Sequence, residues 1–351
     1  MKVLLLGGTG AIGLPCIDAL GYRGFEVYVT SRRQYEDSRL CHYIFGNAMD
    51  NAFLSMVLHE KWDCIIDFMN YSTGKFQSRI NELLDSADQY IFISSARVYS
   101  NHDEVIKEQT PRLLDVTTDQ AYLATDEYAL HKARQENLLV ASGKSNWTIV
   151  RPYISYNVNR LQLGVTEMPN WLVRAIQGRS IVFSRDIASK YTTLTYGGDV
   201  SEGIVALVGR KEALGEVFHI TNNHSVLWGD VFEIYLDELG KYMGKRPKVR
   251  WTDTDLNLQV DNTKYQVMYD RLYNRRFDVA KISRFIDVSS FVPPEEGLRR
   301  CIRETLKNPS PGYINTSYEA MQDKLCHELT TLSNYPTLKL KLAYIYKRFF
   351  K

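Results

Sequence analysis

The sequence has no long apolar run. Nowhere does it approach the ~18–20 apolar residues that a membrane-crossing helix needs, and the opening Met-Lys-Val-Leu-Leu-Leu is cut off by Gly7 and Gly8, short of the apolar core of a secretory leader. Cysteine is scarce too. Cys16, Cys41, Cys64, Cys301 and Cys326 are odd in number, far apart and without a C-x-x-C pair, which argues against a disulfide framework or a zinc ribbon and for a reducing, cytoplasmic setting. An excess of either charge is missing: 43 Lys+Arg face 41 Asp+Glu, a formal +2, so nothing in the whole-chain charge points to a nucleic-acid binder. The seven histidines are scattered without metal-ligand spacing, and no metal is expected. There is no internal repeat and no low-complexity tract. What remains is an ordinary globular composition, 44% hydrophobic and 24% charged, over 351 residues, enough for two lobes around a large core.

The N-terminal half alternates short β-branched or aromatic runs with helical patterns, the signature of an α/β fold. Strands are predicted at 2–6, 25–30, 63–68, 89–94 and 147–151, with helices near 11–22, 50–60, 74–87 and 124–143. Runs apolar nearly throughout suit parallel strands buried on both faces. After Pro152 the pattern predicts a helix at 168–177, a strand pair near 180–196, helices at 199–208 and 228–242, and a returning core strand at 216–220. The expected division is 1–165 as a dinucleotide-binding domain whose sheet is completed by about 180–225, 166–308 as a smaller mixed α/β substrate lobe interleaved with it, and 309–351 as a separate helical extension after Pro309, Pro311 and Gly312. From Tyr335 onward the chain carries Lys339, Lys341, Lys347, Arg348 and Lys351 among Leu, Tyr and Phe with no acid. Such a helix suits a membrane surface or a docking partner. A terminal helix packed on the body or on a second subunit is the first expectation, and the membrane or docking role the secondary one.

Gly7, Gly10 and Gly13 form a G-x-x-G-x-x-G turn that follows the first strand and opens the first helix, the context of a doubly wound, Rossmann-type dinucleotide site. The glycines allow a tight turn, and the helix N-terminus offers amide groups to a pyrophosphate. Gly7, Thr9, Gly10, Ala11, Ile12 and Gly13 are its candidate residues. At the end of the second strand an acid would pair with a ribose 2′-OH, whereas arginine accommodates a 2′-phosphate. Here stand Thr30, Ser31, Arg32 and Arg33. A guanidinium forks onto phosphate oxygens, so Ser31, Arg32 and Arg33 favour NADP(H) over NAD(H). Asn47, ending the stretch YIFGN, is placed to face the adenine.

Tyr128 and Lys132 lie four residues apart, neighbours on one helical face. The lysine ammonium can lower the phenol pKa and hold the nicotinamide ribose, which lets a tyrosine exchange a proton near neutrality. Ser94 and Ser95 end the preceding strand, positioned to hydrogen-bond the same substrate oxygen.

With these motifs the chain resembles the extended short-chain dehydrogenase/reductases of the NAD-dependent epimerase/dehydratase family, over about residues 1–305. Besides the glycine turn and the Tyr128/Lys132 pair, Ser94-Ser95-Ala-Arg-Val-Tyr99 resembles the family's S-S-x-x-V-Y-G, and Arg151-Pro152 its R-P after the sixth strand. Gly198-Asp199-Val200 resembles V-D-D-V-A, and the stretch from Phe291 to Gly297 resembles W-x-P before the last helix. The resemblance implies Ser95 as substrate-oxygen anchor, Tyr128 as acid/base and Lys132 as ribose holder, with Ser94 and Pro152 beside the cofactor. It implies a nucleotide-diphosphate sugar as substrate, and a homodimer paired through the helices at 74–87 and 124–143. Two positions depart from the family. Ala96 and Arg97 replace the Asp-Glu pair of its dehydratases, which argues against a 4,6-dehydratase. Asp67-Phe-Met-Asn70-Tyr71 replaces an alanine-rich stretch, putting Asn70 beside cofactor or sugar.

The activities left are a ketoreductase consuming NADPH, which the Ser-Arg-Arg turn favours, and an epimerase with retained NAD(P). A non-catalytic nucleotide sensor or RNA-binding relative is the alternative of another class. The resemblance implies diphosphate contacts at Lys190 and at Arg276 beside Arg275; Arg160 and Gln162, in the loop after the sixth strand, are reachable from the same cleft, and Arg97 is a further substrate-side candidate.

Overall fold

In the computed structural model, which describes residues 1–309, 312 and 314–350, the apolar runs become seven parallel strands: β1 (Lys2–Leu6), β2 (Glu26–Ser31), β3 (His42–Phe45), β4 (Trp62–Asp67), β5 (Ala87–Ile93), β6 (Trp147–Pro152) and β7 (Glu216–Ile220). Their order is β7-β6-β5-β4-β1-β2-β3. The chain leaves β1 for β2 on one side and later returns to β4 on the other, so the crevice at the carboxyl end of β1 is a topological switch point. This is the doubly wound α/β fold that the sequence predicts.

Alternation along each strand decides which layer a side chain feeds. Val3 and Leu5 pack with Cys16, Ile17 and Leu20 of α1 (Gly13–Tyr22), whereas Leu4 and Leu6 face the opposite layer with Leu54 and Leu58 of α2 (Asn51–Leu58) and Leu139 of α3 (Tyr128–Ala141). The first layer is completed by Val200 and Ile204 of α4 (Gly197–Leu207). In the first turn of α4, Asp199 accepts a hydrogen bond from the Val292 amide at 2.8 Å, tying together the two later motifs noted in the sequence.

The helix predicted at 74–87 is two short ones, Thr73–Gln77 and Ile80–Asp85. Arg79 breaks it. Its buried guanidinium needs acceptors and takes them from the Ala48 and Met49 carbonyls, at 3.0 and 3.2 Å, and from Asn51 Oδ1 at 2.7 Å. The strand pair predicted near 180–196 also differs. Ile181–Ser184 pairs in parallel with Val249–Thr252, and Tyr191–Thr192 pairs antiparallel with Val226–Leu227, because the polar stretch between them coils into a helical turn, Arg185–Ala188.

The chain divides into two compact units: Met1–Ser155 with Thr193–Asn223 and Phe277–Val292, and Tyr156–Thr192 with His224–Arg276 and Pro293–Lys351. The boundaries differ from the predicted 165 and 308, and the helical extension belongs to the second unit; Pro311 and Lys351, named in the sequence, lie outside the described residues. A buried ion cluster explains this membership. Glu319 and Asp323, one turn apart on α8 (Thr316–Cys326), receive Arg174 of α5 (Met168–Ile176) at 3.0 and 2.7 Å, and Arg174 also meets Glu328 at 3.0 Å. Arg179 joins the same acids and gives Thr330 a 2.6 Å bond. Charges this deep exclude water only when paired.

In the same unit Glu238, on α6 (Trp228–Met243), accepts from Arg303 at 2.6 Å and Arg299 at 3.0 Å on α7 (Pro294–Lys307), and from Lys241 at 2.9 Å. The Arg303 bond is the main cause that holds its carboxyl at about 2 against an ordinary 4.5. A depressed folded-state value stabilises above the unfolded value and is lost as pH falls through the folded one. Glu238→Gln is therefore expected to lower stability by roughly 1–2 kcal/mol at neutral pH, with the difference from the parent shrinking between pH 4.5 and about 2. Urea melts at pH 7 and pH 3 check this.

Candidate active site

The glycine turn folds back on itself through a bond from the Thr9 amide to the Gly7 carbonyl (3.0 Å), and the Gly7 amide donates to Thr30 Oγ1 on β2 (3.1 Å). Gly7 has φ +72°, a conformation that favours glycine. A Cβ on Gly13 would stand 2.4 Å from the Gly8 carbonyl oxygen, so only glycine lets α1 approach the turn this closely. Over Gly10 the space is open, with nothing within 4 Å of where a Cβ would be.

In front of the turn lies a cavity of about 270 Å³, bounded by Gly7 and Thr9, by Thr30, Ser31 and Arg32 at the end of β2, by Gly46 to Met49, and by Phe68, Met69 and Asn70 after β4. None of these described lining residues is acidic. Asp67 shapes the last wall: buried at the end of β4, it accepts the Tyr90 hydroxyl at 2.7 Å and the Met69 amide at 2.9 Å, while burial raises its pKa. Asn47 lines the cavity, and its Oδ1 accepts the Met49 amide at 3.1 Å. Arg33 is exposed and does not line it; its amide donates to Ser31 Oγ at 3.1 Å. These groups fit a dinucleotide. The first bond of α1 runs from Leu14 to the Gly10 carbonyl, 3.1 Å, so earlier amides head the helix where a pyrophosphate would sit.

Along α3, Tyr128, Lys132 and Glu136 share one face at intervals of four. Lys132 is buried and donates to the Ile93 carbonyl at 2.8 Å and the Met69 carbonyl at 3.4 Å. Burial lowers its pKa to about 8, opposed by the charges of Asp67 and Glu136. Glu136, 1% exposed, accepts Ser94 Oγ at 2.6 Å, Arg151 at 2.8 and 2.7 Å, and Arg112 at 3.1 Å. Ser94 is thus engaged by an acid, not turned to the cavity, and Pro152 is buried at the end of β6. Ser95 Oγ accepts the Arg97 amide at 3.2 Å, capping the turn Ala96–Val98.

Tyr128 is half-buried. The Arg97 guanidinium lies 5.2 Å from its ring centroid and is paired with Glu127 at 2.6 Å, which places a cation over the tyrosine ring. His131 meets Tyr128 edge-on at 5.2 Å, and its Nε2 faces Asn70 Oδ1 at 2.9 Å. Burial, reinforced by the Lys132 charge, lowers the His131 pKa. Asn70 therefore joins the tyrosine helix to the cavity wall.

The remaining substrate-side candidates belong to the second unit. Arg276 is exposed with its guanidinium 3.8 Å from the Tyr191 ring centroid. Its neighbour Arg275 is buried on Asp270 at 2.9 Å and is structural. Arg160 pairs with Glu167 at 3.4 Å on the surface, Gln162 is buried and bonded to Glu167, and Lys190 is half-buried beside Tyr191.

The family model for the NAD dependent epimerase/dehydratase family matches residues 3–221. The chain belongs to the NAD-dependent epimerase/dehydratase family. It is 24% identical over 249 residues to the 2′-dehydrokanamycin reductase of Streptomyces kanamyceticus, covering 69% of this chain and 67% of that one. It is 25% identical over 244 residues to the chloroplast stem-loop binding protein of 41 kDa b of Arabidopsis thaliana, covering 64% of this chain and 60% of that relative's length. Among solved structures, the UDP-glucuronic acid 4-epimerase of Bacillus cereus, in complex with UDP-glucuronic acid and NAD, superposes with a TM-score of 0.67 at 18% identity, over 88% of this chain and 100% of that one, and shares the fold. Membership makes the protein an enzyme of the oxidoreductase and epimerase kind that works with a nicotinamide dinucleotide.

Within this family site, sequence reasoning passed over Thr30, Asp67 and Glu136. Only Glu136 left a signal, as the next step of the Tyr128–Lys132 stripe. Glu136→Gln is expected to cost about 3 kcal/mol in denaturant melts, because the buried Arg151 guanidinium loses its countercharge, whereas Arg112 keeps Asp115 at 2.8 and 2.9 Å. It also removes a charge that keeps the proton on Lys132, so the lysine should titrate below its parent value of about 8, read by NMR of the labelled ε-carbon.

Proposed function

We propose that this enzyme uses NADPH to reduce a keto group on a nucleotide-activated sugar. The observation that carries the cofactor choice is the end of β2, where Ser31 and Arg32 border the cavity and no carboxylate does. A 2′-phosphate gains a charge-assisted bond from Arg32, with Arg33 exposed close by, while a bare ribose 2′-OH lacks the acidic acceptor it needs. Likeness to a protein named as a reductase supports the direction of the reaction. A structural likeness to an epimerase holding UDP-glucuronic acid supports the substrate class.

When bound, NADPH supplies the hydride that reaches the sugar carbon. The chain's own residues manage the oxygen. Tyr128 gives the carbonyl oxygen its proton, and Ser95, fixed by the Arg97 amide, donates its hydroxyl to the same oxygen. Lys132, with two N–H groups spent on the Ile93 and Met69 carbonyls, keeps the third for the nicotinamide ribose. Lys132 and Arg97 both stabilise the phenolate left on Tyr128, and a water or the ribose hydroxyl returns its proton. Arg160, Lys190 and Arg276 are the proposed diphosphate contacts, and the working unit is proposed to be a homodimer. The runner-up is an epimerase with retained NAD(P). Likeness to a stem-loop binding protein favours RNA binding as a further reading; salt-sensitive binding of a stem-loop RNA by a chain that oxidises no NADPH with any keto-sugar would replace the first.

Tyr128→Phe is expected to lower kcat by ~10²–10⁴ while NADPH affinity changes by less than about threefold; normal turnover would remove Tyr128 from the proton step. Arg32→Asp should weaken NADPH by roughly tenfold or more and leave NADH unchanged or tighter, measured by fluorescence titration. The rate of reduction should fall as pH rises through about 8, where Lys132 loses its charge.

A further inference from the structure

We propose that the outward face of α9 (Leu338–Phe349) docks this protein on a membrane surface rich in anionic lipid. The helix carries its apolar residues on the wrong side for a soluble terminus. Leu338, Leu342, Tyr346 and Phe349 recur at helical spacing and are 71%, 57%, 59% and 57% exposed, and Phe350 continues the patch. The inward side is fastened largely by polar contacts. Tyr344 donates to Asp323 at 2.6 Å and accepts the Thr330 amide at 2.8 Å, Arg348 donates to the Glu328 carbonyl at 3.3 Å, and Lys347 bonds Ser317. Leu340 and Ile345 add apolar packing beside Tyr335.

Charge selects the occupant. Residues 329–351 contain five Lys or Arg and no Asp or Glu. Lys339 is exposed and Lys341 half-buried, and the two lie on either edge of the apolar stripe. A second copy seated on this face would bring lysine rims together with no acid in either helix to neutralise them. Anionic headgroups neutralise both rims, while leucines and aromatic rings enter the headgroup boundary. Twelve residues give a helix of ~18 Å, too short to span a bilayer, and no described helix is long and apolar enough to do so. The helix therefore lies in the surface plane.

The test is flotation of the full chain with phosphatidylcholine vesicles, with and without phosphatidylglycerol, alongside light scattering of the free protein. The proposal expects binding only with phosphatidylglycerol, falling about fivefold with Lys341→Gln, since each near-surface charge is worth about that factor, and at least tenfold with Leu342→Glu. Neither residue lines the nucleotide cavity, so NADPH affinity serves as the control for folding. Failure to bind anionic vesicles overturns it. Binding that survives both substitutions overturns it too, as does a dimer that Leu342→Glu splits.

Discussion

One buried carboxylate organises the part of this protein that carries Tyr128 and Lys132. Glu136 sits almost without solvent, and the Arg151 fork neutralises it at 2.8 and 2.7 Å. That pair joins α3 to β6, Ser94 joins it to the end of β5, and Arg112 to the segment before α3. Because one acid is shared among three donors from separate parts of the chain, α3 cannot slide or rotate without leaving a charge unpaired in a dry interior. Lys132 and Tyr128, one and two turns earlier on the same face, inherit that fixed position. The network extends through Arg151, 4.8 Å from the Tyr99 ring centroid, and Tyr99 meets His219 at 3.2 Å. The Arg-Pro and Val-Tyr motifs are thus the frame of the site, not its reacting groups.

The two halves of the site are set by different physics. The nucleotide half depends on backbone: a positive φ at Gly7, a close approach at Gly13, and a helix that starts where the turn ends. The catalytic half depends on paired side chains in low dielectric, where a lysine drops toward pH 8 and keeps its proton through Asp67 and Glu136. Met69 and Asn70 connect them, the first through its carbonyl to Lys132 and the second through its carboxamide to His131. Of the two, only the Asn70 link depends on a side chain, and it gives that one position after β4 a reason to differ from alanine.

What could be read from the sequence follows the range of the interactions. The glycine turn, the buried strands and the Tyr128–Lys132 pair are local patterns, and the doubly wound fold came from them. Glu136 shows in the sequence only as the next step of the Tyr128–Lys132 stripe; its partners lie 15, 24 and 42 residues away and leave no local pattern. The pairing of Arg97 with Glu127, 30 residues on, leaves no local mark either. A helical pattern over 74–87 does not show that Arg79 must reach three acceptors elsewhere. The place of residues 309–351 likewise rested on Arg174 meeting acids 145 and 149 residues away.

The central claim is that this site consumes NADPH as a reductant. The most direct measurement is to purify the protein without added cofactor, denature it, identify any nucleotide released, and titrate the stripped protein with NADPH and NADH. The account predicts an empty protein that binds NADPH at least tenfold more tightly than NADH, the worth of one charge-assisted contact at Arg32. Release of NAD⁺ or NADP⁺ at about one per chain would contradict it and point to an epimerase that recycles its own hydride.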